Sequence, residues 1–420
     1  MKNILKTYQH ANGEIQRVQA VCCDSWQDLD FCHPSFSKPA IEHIEAIYRD
    51  FFVAKAPYIF GTMYVFYLPD DLKLPFETKM ADREAAARKF LMKNYKSQAG
   101  KVFLKQLEER GCLAVIKGKN PFARHFIPYR SIGFLSQVEG KLKVNSSFFT
   151  FDVFDTDSPY DIFGTPIGLM VKDGKILNPP LFHREALLVD KNGRVTVRPV
   201  ELNELKLNIS GKLYQRPDQR RSGDTDGYDV IVVGNKVIDV LDHGNNLIPS
   251  SGFIIKTREK NIRPGDTVSY EGLEDVVFGI QCGNSIMINS KKTLDFVVPY
   301  YNIFKPFTTQ TVPANYPKDY HKDRAPRIAL GSDRDGKPVI IWAEGAGKMK
   351  YEAGKDSCGA SLKEMADIAE DLGLVNAVNL DGGGSAQIIL DGQRYLQISD
   401  RNFHDNSQSE RPVPVGLVIK

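Results

Sequence analysis

The stretch NAVNLDGGGS, residues 376–385, joins a short apolar run to three consecutive glycines that lie between Asp381 and Ser385. Residues 376–380 are typical of a buried strand. Three consecutive glycines lose much backbone entropy on folding and add no packing, so folded proteins keep them where something approaches the main chain closely. A plain tight turn is the other interpretation, but a carboxylate and a hydroxyl at the end of a buried strand favour a ligand site.

The residues on either side of this stretch predict its surroundings. Upstream, Ser361 and Glu364 form the S-x-x-E pattern of a helix N-terminus, and Gly373 predicts a left-handed helix end. The apolar face of this helix consists of Leu362, Met365, Ile368, Ala369 and Leu372. Downstream, residues 386–392 predict a strand and a hairpin. A Rossmann or P-loop phosphate site needs a helix at that position, so both are disfavoured.

Short β-type runs separated by Gly, Asn and Asp characterise the chain from Gly111 onward. The predicted strands include residues 112–116, 142–145, 168–171, 186–189, 230–233, 253–255 and 286–288. Asp-Gly or Asn-Gly pairs indicate hairpins between such runs, at residues 173–174, 192–193, 335–336 and 391–392. This part of the sequence therefore predicts a large, mainly β domain.

The first part of the chain has a different pattern. An apolar stripe at residues 41–51 and a charged segment at residues 82–95 predict helices, and residues 64–68 predict a strand. We therefore expect an α+β fold in which a mostly helical N-terminal module, residues 1–107, accompanies a β-rich domain, residues 108–420. The sequence assigns no chemistry to the N-terminal module.

The composition is that of an ordinary globular protein. The 420 residues include 55 basic and 52 acidic side chains, a net charge of +3, so no basic surplus favours nucleic acid as a partner. The first residues reach Gln9 and His10 before any apolar run forms, and no apolar run is long enough to cross a bilayer. Six cysteines without a CxxC pair favour reduced thiols. We expect a soluble, cytoplasmic protein, and its oligomeric state stays open.

Metal and nucleophile motifs have little support in the sequence. The histidines, among them His183 and His321, show no HxH or HxxxH spacing, which disfavours a zinc site. The acidic stretch 151–157 lacks the glycine and the terminal glutamate of an EF-hand loop. The sequence contains no GxSxG motif, and Cys358 has no neighbouring base. We therefore expect neither a metal nor a cofactor.

Residues 376–385 closely resemble the NAxNLDGGGS signature of the phosphodiester glycosidase family. Further segments resemble other motifs of that family in the same order, namely residues 144–149, 165–174, 326–331, 342–345 and 410–414. The resemblance covers about residues 110–420. It implies a β-rich fold and a hydrolase that releases free sugar from a sugar-1-phosphodiester, either a glycosyl phosphodiester or a nucleotide-linked sugar.

Three positions depart from the family pattern. The family has two glycines where this chain has Ser146-Ser147, an aspartate where it has Glu344, and a glycine pair near Cys282-Gly283-Asn284. These differences concern the specificity for the sugar and for the leaving group, while the fold expectation is unchanged.

The implied reaction makes particular demands on a site. Its phosphate leaving group is a weak base, so a strong general acid is less necessary than in ordinary glycoside hydrolysis. The site must supply a cation for the phosphate, a carboxylate near the positive charge at the anomeric carbon, and a group that activates water. We assign the phosphate to Arg327 and Arg411, whose guanidinium forks match two oxygens. Asp381 is assigned to the sugar or its oxocarbenium-like centre, and Glu344 to the water.

Other groups would orient the substrate. They are the main-chain N–H groups of Gly383 and Gly384, the Ser385 hydroxyl, the Asn145 amide and the ring of Phe148 or Phe149, which would stack on a sugar face. Each assignment has a structural alternative. The arginines can pair with carboxylates such as Asp323 or Glu410, Asn145 can cap a turn, and Glu344 can be a hairpin residue.

Two other classes of function stay open at this point. A non-catalytic protein could sequester a nucleotide or a sugar phosphate in the same pocket, and Ser146-Ser147 in place of flexible glycines is compatible with it. An interaction protein could act through residues 1–105, which deletion of that segment would test.

Overall fold

The computed structural model describes residues 1–34, 134–149, 158, 160, 165–181, 183–216, 218–293, 323–346, 351–401 and 407–420. Their strands are β1 (Lys2–Gln9), β2 (Ile15–Cys22), β3 (Asp30–Cys32), β4 (Leu142–Asn145), β5 (Phe148–Phe149), β6 (Pro166–Ile167), β7 (Met170–Lys172), β8 (Lys175–Asn178), β9 (Glu185–Asp190), β10 (Val195–Pro199), β11 (Lys206–Leu207), β12 (Lys212–Gln215), β13 (Tyr228–Val233), β14 (Lys236–Leu241), β15 (Gly252–Thr257), β16 (Tyr270–Glu271), β17 (Val276–Ile280), β18 (Ser285–Ile288), β19 (Lys291–Lys292), β20 (Arg327–Ser332), β21 (Pro338–Ala343), β22 (Asn376–Asn379), β23 (Ile388–Leu390) and β24 (Gly416–Ile419). Within this part of the chain there is one α-helix, α1 (Leu362–Asp371), and there are short 3-10 turns at Leu135–Gln137, Leu202–Glu204 and Gly383–Ser385.

The strands form antiparallel sheets. A seven-stranded sheet has the order β1-β2-β21-β20-β22-β18-β19, and a five-stranded sheet has the order β10-β9-β17-β7-β8. Two four-stranded sheets have the orders β12-β15-β13-β14 and β23-β4-β24-β3. The pairs β11-β16 and β5-β6 complete the arrangement.

The predicted α+β fold with a mostly helical N-terminal module is wrong. The described part of that module, residues 1–34, forms β1, β2 and β3 instead of helices. β1 pairs with β2, β2 pairs with β21 in the seven-stranded sheet, and β3 pairs with β24. The physical reason is burial, because β2 places Val18, Ala20 and Val21 in the main core, where a strand between two others satisfies its main-chain groups.

Several predictions for the N-terminal half lie outside the described residues. They are the helices at residues 41–51 and 82–95 and the strands at residues 64–68 and 112–116. The acidic stretch 151–157 also lies outside them. The domain boundary at residues 107 and 108 falls in the same part of the chain and stays a prediction.

The seven-stranded sheet carries the centre of the main core. Every residue of β20, β21 and β22 is buried. β9 and β10 of the five-stranded sheet contact β22, and α1 contacts β18 and β19. Most side chains of these strands are apolar, and their removal from water is the main stabilising contribution, while the buried polar residues Arg327, Asn376 and Asn379 lie at strand ends.

Three of the predicted hairpins are confirmed. Residues 173–174 join β7 to β8, residues 192–193 join β9 to β10, and residues 335–336 join β20 to β21. Their glycines have φ of +75° to +78°, the left-handed region in which glycine is not strained. The fourth pair, residues 391–392, forms a turn at the end of β23. The strands predicted around residues 142–145, 168–171, 186–189, 230–233, 253–255 and 286–288 correspond to β4, β7, β9, β13, β15 and β18.

The predicted helix is also confirmed as α1. Ser361 is its N-cap, and its hydroxyl accepts a hydrogen bond from the Glu364 N–H at 3.2 Å. The Glu364 carboxylate accepts the Ser361 N–H in return at 2.9 Å, which completes the capping box. Gly373 follows the helix with φ of +75°, as expected for a left-handed helix end.

Antiparallel pairing brings distant segments to one edge of the seven-stranded sheet. β20 and β18 both run antiparallel to β22, so the end of β22 at Asn379 lies beside the starts of those two strands. β21 ends next to the start of β20, where Ala343 pairs with Arg327. Arg327, Glu344 and Asp381 therefore come to the same edge, although they are far apart in the sequence.

Replacing Ser361 by Ala should lower the free energy of unfolding by about 1 kcal/mol, because the Glu364 N–H would lose its partner. Urea unfolding followed by tryptophan fluorescence measures the change. Ser361→Thr is the matched control, since its hydroxyl can accept the same bond. An S361A protein that unfolds at the same urea concentration as the wild type would contradict the capping role.

Candidate active site

The glycine loop, residues 382–384, lies between β22 and β23, and its last two glycines begin the 3-10 turn Gly383–Ser385. The Gly383 N–H donates to the Pro326 carbonyl at 2.8 Å, and the Ser385 N–H donates to the Gly382 carbonyl at 3.2 Å. Gly383 has φ of +58°, and a methyl group added to it would meet no heavy atom of the described residues within 4 Å. Hydrogen bonds therefore hold the main chain of the loop in place, and no described residue covers it at Gly383. Close approach by a ligand requires both.

The Asn145 side chain holds the two ends of this loop together. Its Nδ2 donates to the Asp381 carbonyl at 2.7 Å, and its Oδ1 accepts the Gln387 N–H at 3.0 Å. Asn145 is fully buried at the end of β4. The amide that was predicted to orient a substrate thus orients the main chain on both sides of the glycines.

Asp381 and Arg327 flank the start of the loop. Asp381 is 5% exposed and Arg327 is 4% exposed. Arg327 Nε donates to the Ala360 carbonyl at 3.1 Å, and its Nη2 donates to the Asp323 carbonyl at 2.9 Å. A methyl group on Gly382 would lie 3.7 Å from Arg327 Cδ, which places this side chain against the loop. Asp381, directly before Gly382, and Arg327, packed against Gly382, are thus both buried beside the start of the loop.

Arg411 contacts the other end of the loop as part of an ion pair. Its Nε and Nη2 donate to the two carboxylate oxygens of Asp400 at 2.8 and 3.0 Å, a bidentate arrangement. A methyl group on Gly384 would overlap Asp400 Oδ1 and Arg411 Nη2, so any side chain at this position would have to displace the ion pair. Sequence analysis missed Asp400, which no local pattern distinguishes from other aspartates.

Glu344 is buried at the same sheet edge, and both of its carboxylate oxygens accept hydrogen bonds. Oε2 accepts from Arg17 Nη1 at 3.0 Å, and Oε1 accepts from the Gln397 N–H at 2.7 Å. Two residues beyond Gln397, the Ser399 hydroxyl donates to the Gly383 carbonyl at 3.3 Å. Glu344 therefore anchors the segment that contacts the glycine loop.

The two serines in place of the family's glycines have different environments. The Ser147 hydroxyl lies 3.0 Å from the Phe148 carbonyl and 2.9 Å from the Ile167 carbonyl, which fastens β5 to β6. The Ser146 carbonyl accepts the Asp381 N–H at 2.9 Å. The buried Ser146 Oγ has no hydrogen-bond partner within the described residues. The serine pair thus connects the end of β4 to the loop and to the neighbouring strands.

Sequence analysis also missed Arg184, which precedes β9 and is 3% exposed. Its Nη1 donates to the Cys282 carbonyl, and its guanidinium carbon lies 5.8 Å from the centroid of the Phe148 ring. Phe148 and Phe149 are both buried, Phe148 in the main core and Phe149 in a smaller cluster. The Phe148 ring therefore carries a guanidinium on one face.

Other features of the described residues do not point to a second site for the expected reaction. A cleft of about 740 Å³ is lined by Lys212, Tyr214 and Lys256, among others, and by none of the predicted site residues. Within the described ranges, no group of three or more His, Cys, Asp or Glu side chains could hold a metal ion. No helix in those ranges is long and apolar enough to cross a membrane. The glycine loop thus remains the candidate active site.

Comparison with known proteins connects this site to a family. The family model described as "Phosphodiester glycosidase" matches residues 141–420. N-acetylglucosamine-1-phosphodiester alpha-N-acetylglucosaminidases from Mus musculus and Homo sapiens are 39% and 41% identical to this chain over 66 residues. The aligned region covers 16% of this chain and only 11% of either relative.

Two solved structures match the chain at low sequence identity. One is the zebrafish N-acetylglucosamine-1-phosphodiester alpha-N-acetylglucosaminidase catalytic domain, auto-inhibited by its pro-peptide, with a TM-score of 0.40, 12% identity, and coverage of 100% of this chain and 82% of that one. The other is a hypothetical protein from Synechocystis, with a TM-score of 0.43, 15% identity, and coverage of 99% and 61%.

Replacing Asn145 by Asp should destabilise the protein by about 1–3 kcal/mol, because a carboxylate oxygen would face the Asp381 carbonyl in place of a donor. The two hydrogen bonds by which Asn145 joins Asp381 and Gln387 are called the Asn145 clamp here. Aspartate retains the acceptor for the Gln387 N–H, so the change tests only the bond of this clamp to the Asp381 carbonyl. Chemical denaturation measures it, with Asn192→Asp in an exposed turn as the control. Equal stability of the two variants would show that the clamp contributes little.

Replacing Gly384 by Ala should destabilise the protein by about 1–3 kcal/mol, because the methyl group would displace the ion pair of Asp400 and Arg411. Gly383→Asn is the comparison, since its position is open and asparagine tolerates a positive φ. Thermal unfolding of both variants measures the difference. If G384A were as stable as G383N, displacing the Asp400–Arg411 ion pair would not lower the free energy of unfolding, and the prediction would be wrong.

Proposed function

Because the chain belongs to the phosphodiester glycosidase family, we propose that it hydrolyses the bond between the anomeric carbon of a sugar and a phosphodiester oxygen. The products are the free sugar and a phosphate monoester. The observation that carries the proposal is that buried Asp381 and buried Arg327 both lie beside Gly382, next to a Gly383 that no described residue covers. The curated relatives are named for N-acetylglucosamine, so its phosphodiesters, including UDP-N-acetylglucosamine, are the first substrates to test.

The leaving group explains why a cation matters in this reaction. As the bond between the anomeric carbon and the oxygen breaks, its electron pair moves to the phosphate, whose negative charge grows. A guanidinium close to that phosphate stabilises the transition state more than the bound substrate, which is the condition for a higher kcat. In this proposal Arg327 is one such cation. Arg411 is engaged with Asp400, so we assign it to the shape of the loop.

Positive charge develops at the anomeric carbon as the phosphate leaves. We assign its stabilisation to the Asp381 carboxylate, which burial places in a medium where charges interact more strongly than in water. A water molecule then bonds to the anomeric carbon through its oxygen, and the proton that it releases passes to the solvent. Glu344, bound to Arg17 and Gln397, would act by positioning the segment that holds Gly383.

Incubation of the protein with UDP-N-acetylglucosamine and with a methyl N-acetylglucosamine-1-phosphodiester tests the proposal. Mass spectrometry should detect free N-acetylglucosamine, together with UDP from the first compound and methyl phosphate from the second. Stoichiometric binding without product would contradict the hydrolase and favour a protein that sequesters sugar phosphates. Neither binding nor product with either compound would contradict both functions for this sugar.

Asp381→Asn should lower kcat on the order of 10²- to 10⁴-fold, because the neutral amide cannot stabilise the developing positive charge. The main-chain bonds of residue 381 to Ser146 and Asn145 do not involve its carboxylate, and asparagine has nearly the same shape as aspartate, so D381N should still fold. Asp391→Asn, in an exposed turn with positive φ, is the matched control. Loss of folding in D381N, or full activity, would contradict this role.

A further inference from the structure

Arg184 is held firmly at the candidate active site. The Gln281 side-chain amide donates to the Arg184 carbonyl at 2.9 Å, which fixes the main chain where β9 begins. The guanidinium donates to the Cys282 carbonyl and covers the face of the Phe148 ring at 5.8 Å. A ring face attracts a cation, so the guanidinium is held by a hydrogen bond and by this contact.

Cys282 connects Arg184 to the glycine loop. The next residue, Gly283, donates its N–H to the Asn379 carbonyl at 2.8 Å, two residues before Asp381. Burial raises the pKa of the Cys282 thiol well above its usual range, the Asp381 charge raises it further, and the Arg184 charge lowers it. The Phe148 N–H donates to Cys282 Sγ at 3.2 Å, and the Ser146 carbonyl accepts the Asp381 N–H at 2.9 Å. Arg184, which contacts Phe148, and Asp381, which is bonded to Ser146, therefore both lie along the segment 146–148.

The Arg184 guanidinium has the charge and the shape to bind a phosphate group. Phosphate oxygens match the fork of an arginine, and a buried cation interacts with them more strongly than an exposed one. The fork of Arg411, which the sequence assigned to the phosphate, is directed at Asp400. Arg184 lies at Cys282, whereas Arg327 lies against Gly382, so the two guanidinium groups are on different sides of the site.

We propose that Arg184 is a further substrate-binding residue, whose guanidinium contacts the phosphate group of the substrate while Asp381 faces the sugar. This inference rests on the proposed hydrolysis of a sugar-1-phosphodiester. In this role the Arg184 guanidinium stabilises part of the negative charge that accumulates on the leaving phosphate. The ligand chemistry is a phosphate ester anion, and the contact acts on the leaving group and not on the sugar.

Two substrates with the same sugar test this role. Arg184→Met should lower kcat/KM for the phosphodiester on the order of 10²-fold, the effect of removing one charge-stabilising donor. The 4-nitrophenyl glycoside of that sugar carries no phosphate, so its kcat/KM should change little. Arg184→Lys should fall between wild type and R184M, because lysine keeps the charge without the fork. Arg198→Met, an exposed arginine paired with Glu204, is the matched control.

A purely structural role would give a different result, namely equal losses on both substrates, and this outcome would overturn the inference. If R184M fails to fold by circular dichroism, R184K decides the question in the same two assays. Titration with inorganic phosphate by calorimetry gives a readout that needs no turnover. Weaker binding in R184K and R184M than in wild type supports the inference, and unchanged binding overturns it.

The two proposals can fail separately. A wild-type protein that cleaves neither substrate contradicts the proposed function, and the phosphate titration still tests Arg184. A wild-type protein that cleaves the phosphodiester, while R184M keeps the wild-type ratio between the two substrates, overturns the role of Arg184 alone.

Discussion

The hydrogen bonds of the Asn145 side chain to Asp381 and Gln387 set the geometry on which the rest of the candidate site depends. A run of three glycines has more conformational freedom than any other three residues, and ordering it is costly. The clamp and the bond from Gly383 to Pro326 offset that cost by tying the run at its ends and in its middle. A loop ordered before a ligand arrives needs no reorganisation when the ligand binds.

The charged groups around the loop divide into two kinds. Glu344 with Arg17 and Asp400 with Arg411 are ion pairs that connect the loop to other parts of the chain. Such pairs contribute modestly to stability, but removing one partner leaves a buried charge uncompensated, so they hold their segments in one arrangement. Asp381, by contrast, lies at the loop itself, where the proposed reaction develops its charges.

The local elements of the fold could be predicted because their signals are local. The capping box at Ser361 and the Asp-Gly turns depend on residues within a few positions of one another. The N-terminal expectation was wrong for the opposite reason. β2 is a strand because it pairs with β21, more than three hundred residues further along the chain, and no local pattern reports that partner.

By itself, the sequence determined the glycine loop, the strand before it and the residue types that flank it, since glycine conformation and apolar periodicity act within one segment. Tertiary structure decided what each of those residues does. Antiparallel pairing brought Arg327 and Glu344 to the end of β22. Side-chain contacts outside the strands directed Arg411 at Asp400 and placed Arg184 beside Cys282. Such contacts join residues that are distant along the chain, and only the packing of several sheets around one core specifies them.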